Sequence, residues 1–202
     1  MANAGRLGLL SLAMGTVWAQ PYFGVYRWAT APDNVDAYAK WVGHDIVWAE
    51  DFEATESWDD IANPTWQYKV WSPWVGAQPG RRLILTVPLL PGPWNGCGAT
   101  LGTIDLHVPV SLEQGAAGAY NDRFAMLAAG LVKRGLGNSM PRLGWEFNGG
   151  WYTWRAQRKA AAYAAYWRQI VTAMRAVPGA GELRFVWGEN GGRPVSLRAC
   201  RR

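Results

Sequence analysis

From Pro21 onward the chain alternates between two hydrophobic rhythms. Short runs rich in aromatic and β-branched residues are followed by stretches in which apolar residues recur every three or four positions. "YFGVYRW" (22–28) is the first such run, and Pro32-Asp33 then opens a helical pattern carrying Val35, Tyr38 and Val42. "DIVWAEDF" (45–52) predicts a second strand that ends in acids. "RRLILTVPLL" (81–90) predicts a third, nearly continuous in apolar character, as a strand buried on both faces requires. Residues 119–136 place Phe124, Leu127, Ala128, Leu131 and Val132 on one helical face, stopped by Gly135 and Gly137. "MPRLGWEF" (140–147) reads as the fourth strand. The run from Gln157 to Val177 reads as a helix with Tyr163, Tyr166, Ile170 and Met174 inward, and "LRFVWGEN" (183–190) as the fifth strand.

Buried strands alternating with helices predict α/β architecture with a parallel sheet or barrel. Neither G-x-G-x-x-G nor G-x-x-x-x-G-K-S/T occurs, which argues against an open nucleotide-binding sheet. The residues at and after the second to fifth strand ends include Glu50, Asp51, Trp94, Glu146, Trp151 and Glu189, the end at which a barrel keeps its active site. The expected fold is therefore a (β/α)8 barrel type of which about five units are present, in one domain over 20–192. The Gly- and Pro-rich connection from Leu89 to Gly118 is long enough to be read as a cleft wall.

Composition narrows the function classes. Most of the formal charge of +5 resides in the tail 193–202, where Arg193, Arg198, Arg201 and Arg202 meet no acid. Without those four, 16 of the 20 basic residues remain against 15 acidic ones, so no nucleic-acid surface is expected. The 14 Trp residues are either core filling or platforms for flat ligands and sugar rings. Cys97 and Cys200 form no disulfide framework and have no metal-type spacing, and His44 and His107 have no ligand partners nearby in sequence. No metal or organic cofactor is expected. Residues 1–19 read as a secretory signal with cleavage after Ala19, which predicts a secreted protein. No apolar run reaches the roughly 18 to 20 residues needed to span a bilayer, so no membrane partner is expected.

The chemistry concentrates in "PRLGWEFNGGWYTWRA" (141–156). Glu146 stands between Trp145 and Phe147, with Asn148, Trp151, Tyr152 and Trp154 close behind. A carboxylate pressed against aromatic rings loses solvation of its charged form, the condition that a general acid near neutral pH requires. The rings can stack sugar faces, and Asn148 can hydrogen-bond a hydroxyl. Equally, Glu146 can cap a helix or pair with Arg142 or Arg155 while the rings fill the core.

This segment resembles the acid/base segment of glycoside hydrolase family 26, the β-mannanases and related enzymes, which read roughly H-E-F/M-N-G-x-W-Y/F-x-W at the end of the fourth barrel strand. The similarity extends from "YFGVY" to "FVWGEN", the latter similar to the family's V-W-x-x-N strand end. The resemblance implies a polysaccharide or oligosaccharide partner and retaining hydrolysis of a β-linked, mannan-like substrate, with Glu146 as general acid/base. It implies sugar contacts by Asn148 and Trp151, and an aromatic at Trp187 after the fifth strand. Two departures accompany it. Trp145 stands where the family has His, and the family's nucleophilic Glu belongs to a seventh strand, whereas this chain reads as truncated after the fifth. Glu189, Glu50 and Asp51 are the candidate substitutes, none at the family's position. A non-catalytic carbohydrate-binding protein and an inactive fragment are the rival readings, and exposed barrel edges predict self-association.

Overall fold

A computed structural model describes residues 23–92 and 110–191. The expected signal segment 1–19, the tail 193–202, and Trp94, Cys97, His107 and Cys200 lie outside the described residues.

Five strands, β1 (Gly24–Val25), β2 (Trp48–Phe52), β3 (Arg82–Val87), β4 (Met140–Leu143) and β5 (Val186–Trp187), pair in parallel and in chain order. The sheet curls into a half-barrel. Parallel neighbours need a return path, which helices supply. These are α1 (Pro32–Val42), α2 (Trp58–Ala62), α3 (Thr65–Gly76), α4 (Leu112–Ala116), α5 (Asn121–Lys133) and α6 (Ala160–Arg175). The strand order never reverses, so the sheet has no switch point of the doubly wound kind.

Alternation along the strands separates two faces. Ala49, Asp51, Leu83, Leu85 and Leu143 are sealed under the helices. Trp48, Glu50, Phe52, Ile84, Met140 and Arg142 line the half-exposed concave face, with Glu50 beside Ile84, Ile84 beside Met140, and Thr86 beside Arg142. The helical periods resolve largely as the sequence predicts: Phe124, Leu127, Ala128 and Leu131 on α5 and Tyr163, Tyr166, Ile170 and Met174 on α6 are buried, and Val132 is half-buried against the core. The Tyr166 hydroxyl donates to Leu89 O at 2.7 Å and ties α6 to the chain leaving β3. Gly115 lets α4 lie against that ring, since a Cβ there would meet Tyr166 at 2.5 Å. On α1 the expected inward set is only partly sealed: Val35 is buried, Tyr38 half-buried and Val42 exposed. The helix has no neighbour beyond the β1 edge among the described residues.

The regular strands are shorter than the apolar runs that encode them. β4 stops at Leu143 because Gly144 turns to φ 59°, where a side chain would collide with Leu89 at 2.4 Å. Residues 53–80, to which periodicity assigns no element, hold α2 and α3. The first is capped by Ser57, whose side chain accepts from Asp60 N. No helix among the described residues is long and apolar enough to cross a membrane.

Glu53, just beyond β2, is 3% exposed, and neither carboxylate oxygen has a hydrogen-bond partner. Burial, reinforced by the charges of Asp51 and Asp60, pushes its carboxyl well above the usual range. The folded chain therefore holds a proton that the unfolded chain releases. The stability this group supports is present below the unfolded carboxyl value and is lost as pH rises toward the folded one. Glu53→Gln is expected to raise stability at pH 7 and to leave it nearly unchanged at pH 4. Urea denaturation of both proteins at the two pH values checks this, and equal stability at pH 7 would contradict it.

Candidate functional site

All five strands point the same way, so the loops that follow them gather at one end. Hydrogen bonds link those loops in series. Gly92 N donates to Thr55 O at 2.7 Å, joining the segments after β3 and β2. Thr153 Oγ1 donates to Leu90 O at 3.1 Å, joining the segments after β4 and β3. The segments after β4 and β5 share three bonds: Glu146 N to Gly188 O at 3.0 Å, Asn148 Nδ2 to Asn190 O at 2.9 Å, and Asn190 N to Asn148 Oδ1 at 2.8 Å.

Glu146 sits in the middle of this rim with φ 51°, in the left-handed region that a non-glycine residue enters at a cost of about 1–3 kcal/mol. The bond to Gly188 on one side, and the acceptance by its carbonyl of Gly149 N at 2.8 Å on the other, hold it there. Its side chain is half-buried, and Oε2 accepts from Trp151 Nε1 at 3.0 Å. Gly149 permits that approach, because a Cβ would lie 2.4 Å from the Trp151 ring.

Tyr152 completes the group. Its hydroxyl accepts from Trp145 Nε1 at 2.7 Å, and its ring stacks on Trp154 at 4.5 Å with 8° between the planes. Burial raises the Tyr152 phenol above its ordinary value, while the charges of Glu146 and Arg142 act on it in opposite senses. The phenol thus lies within the field of both residues. Arg142, on the concave face, pairs with Glu50 at 3.1 Å and not with Glu146, and Glu50 also accepts from Thr86 Oγ1 at 2.8 Å.

The expected site therefore divides. Glu146, Trp151 and Tyr152 come together at the mouth of the concave face. Trp145 and Trp154 are corrected to core residues: they are 5% and 1% exposed, 4.5 Å apart, and joined by a bond from Trp154 Nε1 to Trp145 O. Their ring faces are covered, so neither is a stacking platform. Asn148 is half-exposed, and both ends of its amide hold the backbone of Asn190. Trp187 lies on the helical side, against Phe147 at 4.8 Å and Trp167 at 5.3 Å, rather than beside Glu146.

The substitute acids separate in the same way. Asp51 is sealed on the helical face, accepting from Trp71 Nε1 and from the backbone of Thr30 and Phe52. Glu50 is occupied by Arg142 and Thr86, and Glu189 is exposed on the loop after β5. Sequence reasoning missed the Glu50–Arg142–Thr86 network; its signal is the two-residue alternation that sends these three side chains to one face. Among the described residues no group of three or more His, Cys, Asp or Glu is arranged to hold a metal ion. Compared with protein-family models and with curated proteins, the chain matches none.

Asn148→Ala removes both bonds to Asn190 and leaves those backbone groups without that partner. A loss of about 1–3 kcal/mol in urea denaturation is expected, together with faster hydrogen exchange at the Asn190 amide. Unchanged stability and exchange would show that the clamp holds nothing.

Proposed function

We propose that this chain is a glycan-active protein of the (β/α)8 barrel type. Its site cleaves glycosidic bonds in a β-linked, mannan-like polysaccharide by the retaining route, with Glu146 as general acid/base. The observation that carries the reading is the bond from Trp151 Nε1 to Glu146 Oε2, which joins an acid and an indole at the C-terminal end of β4. Because Trp151 donates to Oε2, Oε1 is the oxygen from which a proton is transferred in the acid step. That proton passes to the glycosidic oxygen as the bond to the anomeric carbon breaks. In the retaining route a second carboxyl, about 5–5.5 Å from the acid, forms the glycosyl intermediate, and the Glu146 carboxylate then deprotonates the incoming water. The half-buried Trp151 ring offers an apolar face to a pyranose, and the Tyr152 hydroxyl, already accepting from Trp145, is free to donate to a sugar oxygen. A polymeric substrate of this kind agrees with a secreted protein.

One observation favours a second reading, sugar binding without turnover. Glu50 and Asp51 are both engaged by neighbouring donors, and neither is free to act as nucleophile. In that reading Glu146 accepts hydrogen bonds from sugar hydroxyls and transfers no proton.

Reducing-sugar release from β-mannan, β-glucan and xylan separates the two. The hydrolytic reading expects release from at least one polymer, lowered on the order of 10²- to 10⁴-fold by Glu146→Gln. Equal release by the variant would remove Glu146 from the chemistry. No release by the folded chain, with retardation in polysaccharide-containing gels, would select the binding reading; neither release nor retardation would end both.

A further inference from the structure

We infer that the loop after β1 carries a second sugar platform, Trp28 with Tyr26 beside it, which holds the far end of an extended β-linked oligosaccharide whose other end lies at Glu146 and Trp151. This rests on the glycan reading of the Glu146 site and adds to it the length of chain the site takes.

Four indoles are exposed among the described residues, and three of them have neighbours that account for their place. Trp41 lies against Tyr38 on α1 at 5.6 Å, Trp66 on α3 lies under the Lys69 ammonium at 5.3 Å, and Trp187 packs against Phe147 and Trp167. Trp28 is 74% exposed, and among the described residues its ring has no aromatic, cationic or hydrogen-bonding partner. It is also the one of the four that stands in a loop at the C-terminal end of the strands, the end that carries Glu146.

The backbone there is held in an unfavourable shape. Trp28 has φ 85° and Thr30 φ 52°, a region that bulky and β-branched side chains seldom enter. Two bonds bracket the turn: Asn34 Nδ2 donates to Arg27 O at 3.1 Å, and Thr30 N donates to Oδ2 of Asp51 at 3.0 Å. Asp51 is itself fixed, buried and accepting from Trp71 Nε1 and Phe52 N. A strained turn that is clamped on both sides and leaves an unpartnered indole in solvent is built to offer that ring, not to bury it.

Rings connect this turn to the Glu146 site. Tyr26, 43% exposed, meets Phe52 edge-on at 5.2 Å; Phe52 meets Trp145 at 5.5 Å, and Trp145 meets Tyr152 at 5.0 Å beside Trp151. Of these only Trp145 is buried, so accessible ring surface recurs along the rim from β1 to β4. The two strands are three spacings apart, about 14 Å along the sheet. A single sugar cannot reach both ends, whereas an extended β-linked chain, with an apolar face on each ring, can.

Titration of the nitrogen-15-labelled full chain with β-linked oligosaccharides of mannose, glucose and xylose, from disaccharide to hexasaccharide, tests this. In at least one series the hexasaccharide is expected to shift the indole N–H resonances of both Trp28 and Trp151, and the disaccharide to shift Trp151 alone. Trp28→Ala is expected to weaken hexasaccharide binding about tenfold and to leave disaccharide binding and the urea midpoint unchanged, and Trp28→Phe to recover most of the loss. A hexasaccharide that shifts Trp151 and not Trp28 would overturn the platform and leave the Glu146 reading standing; silence at both indoles would remove both. A shift at Trp28 without one at Trp151, equal weakening of short and long sugars, or a loss of stability in Trp28→Ala would also overturn the inference.

Discussion

Parallel pairing in strict chain order is the constraint from which the rest of this molecule follows. A parallel strand cannot be reached by a tight turn, so each connection runs back over one side of the sheet as helix. That side buries Leu83, Leu85 and Leu143 beneath Phe124, Leu131, Tyr166 and Ile170, and it is where most of the apolar surface is removed from water. The other side keeps its alternate residues half-exposed, and the Glu50–Arg142 pair with Thr86 satisfies their polarity across three strands. The same constraint brings every strand end to one rim, where the loops bond to one another in sequence.

The rim departs from ideal backbone geometry where its chemistry lies. Gly144 and Glu146 both adopt positive φ, and only the first is a residue suited to it. Glu146 is kept there by its backbone bonds to Gly188 and Gly149, with Asn148 clamping the next loop. Strain of this kind persists where surrounding contacts determine it, and it is characteristic of sites that must present a side chain in one direction. The direction here is toward Trp151, whose ring rests over Gly149.

Much of this was legible from residue order, and the exceptions have physical causes. The buried faces of α5 and α6 follow from apolar spacing because those helices pack against the sheet along their whole length. Strand lengths were overestimated because apolar runs continue past the point at which Gly144 bends the chain. α2 and α3 escaped periodicity because the first is only five residues long and the second carries Pro73 inside it. Glu146, Trp151 and Tyr152 lie close in sequence, and the fold brings them together. Trp145 and Trp154 were not separable from them, because an indole whose N–H finds a carbonyl or hydroxyl is as stable in a core as on a surface. The bonds of Asn148 to Asn190 were not legible for a related reason: an amide that suits a sugar hydroxyl suits a backbone N–H and C=O equally well. The orphaned carboxyl of Glu53 has no sequence signature, since nothing in its neighbours in the chain specifies that it will be enclosed without a partner.

The proposed function requires Glu146 and Trp151 to act as one glycan-facing unit while the buried Trp145 and Trp154 stay in the core. The most direct measurement is the indole N–H region of a nitrogen-15 correlation spectrum during titration with β-linked oligosaccharides of mannose, glucose and xylose. A saturable shift of the Trp151 resonance is expected with at least one series, abolished by Glu146→Gln, while the Trp154 resonance stays in place. A Trp151 resonance that ignores every oligosaccharide, or a Trp154 resonance that moves with it, would remove the pair from glycan binding.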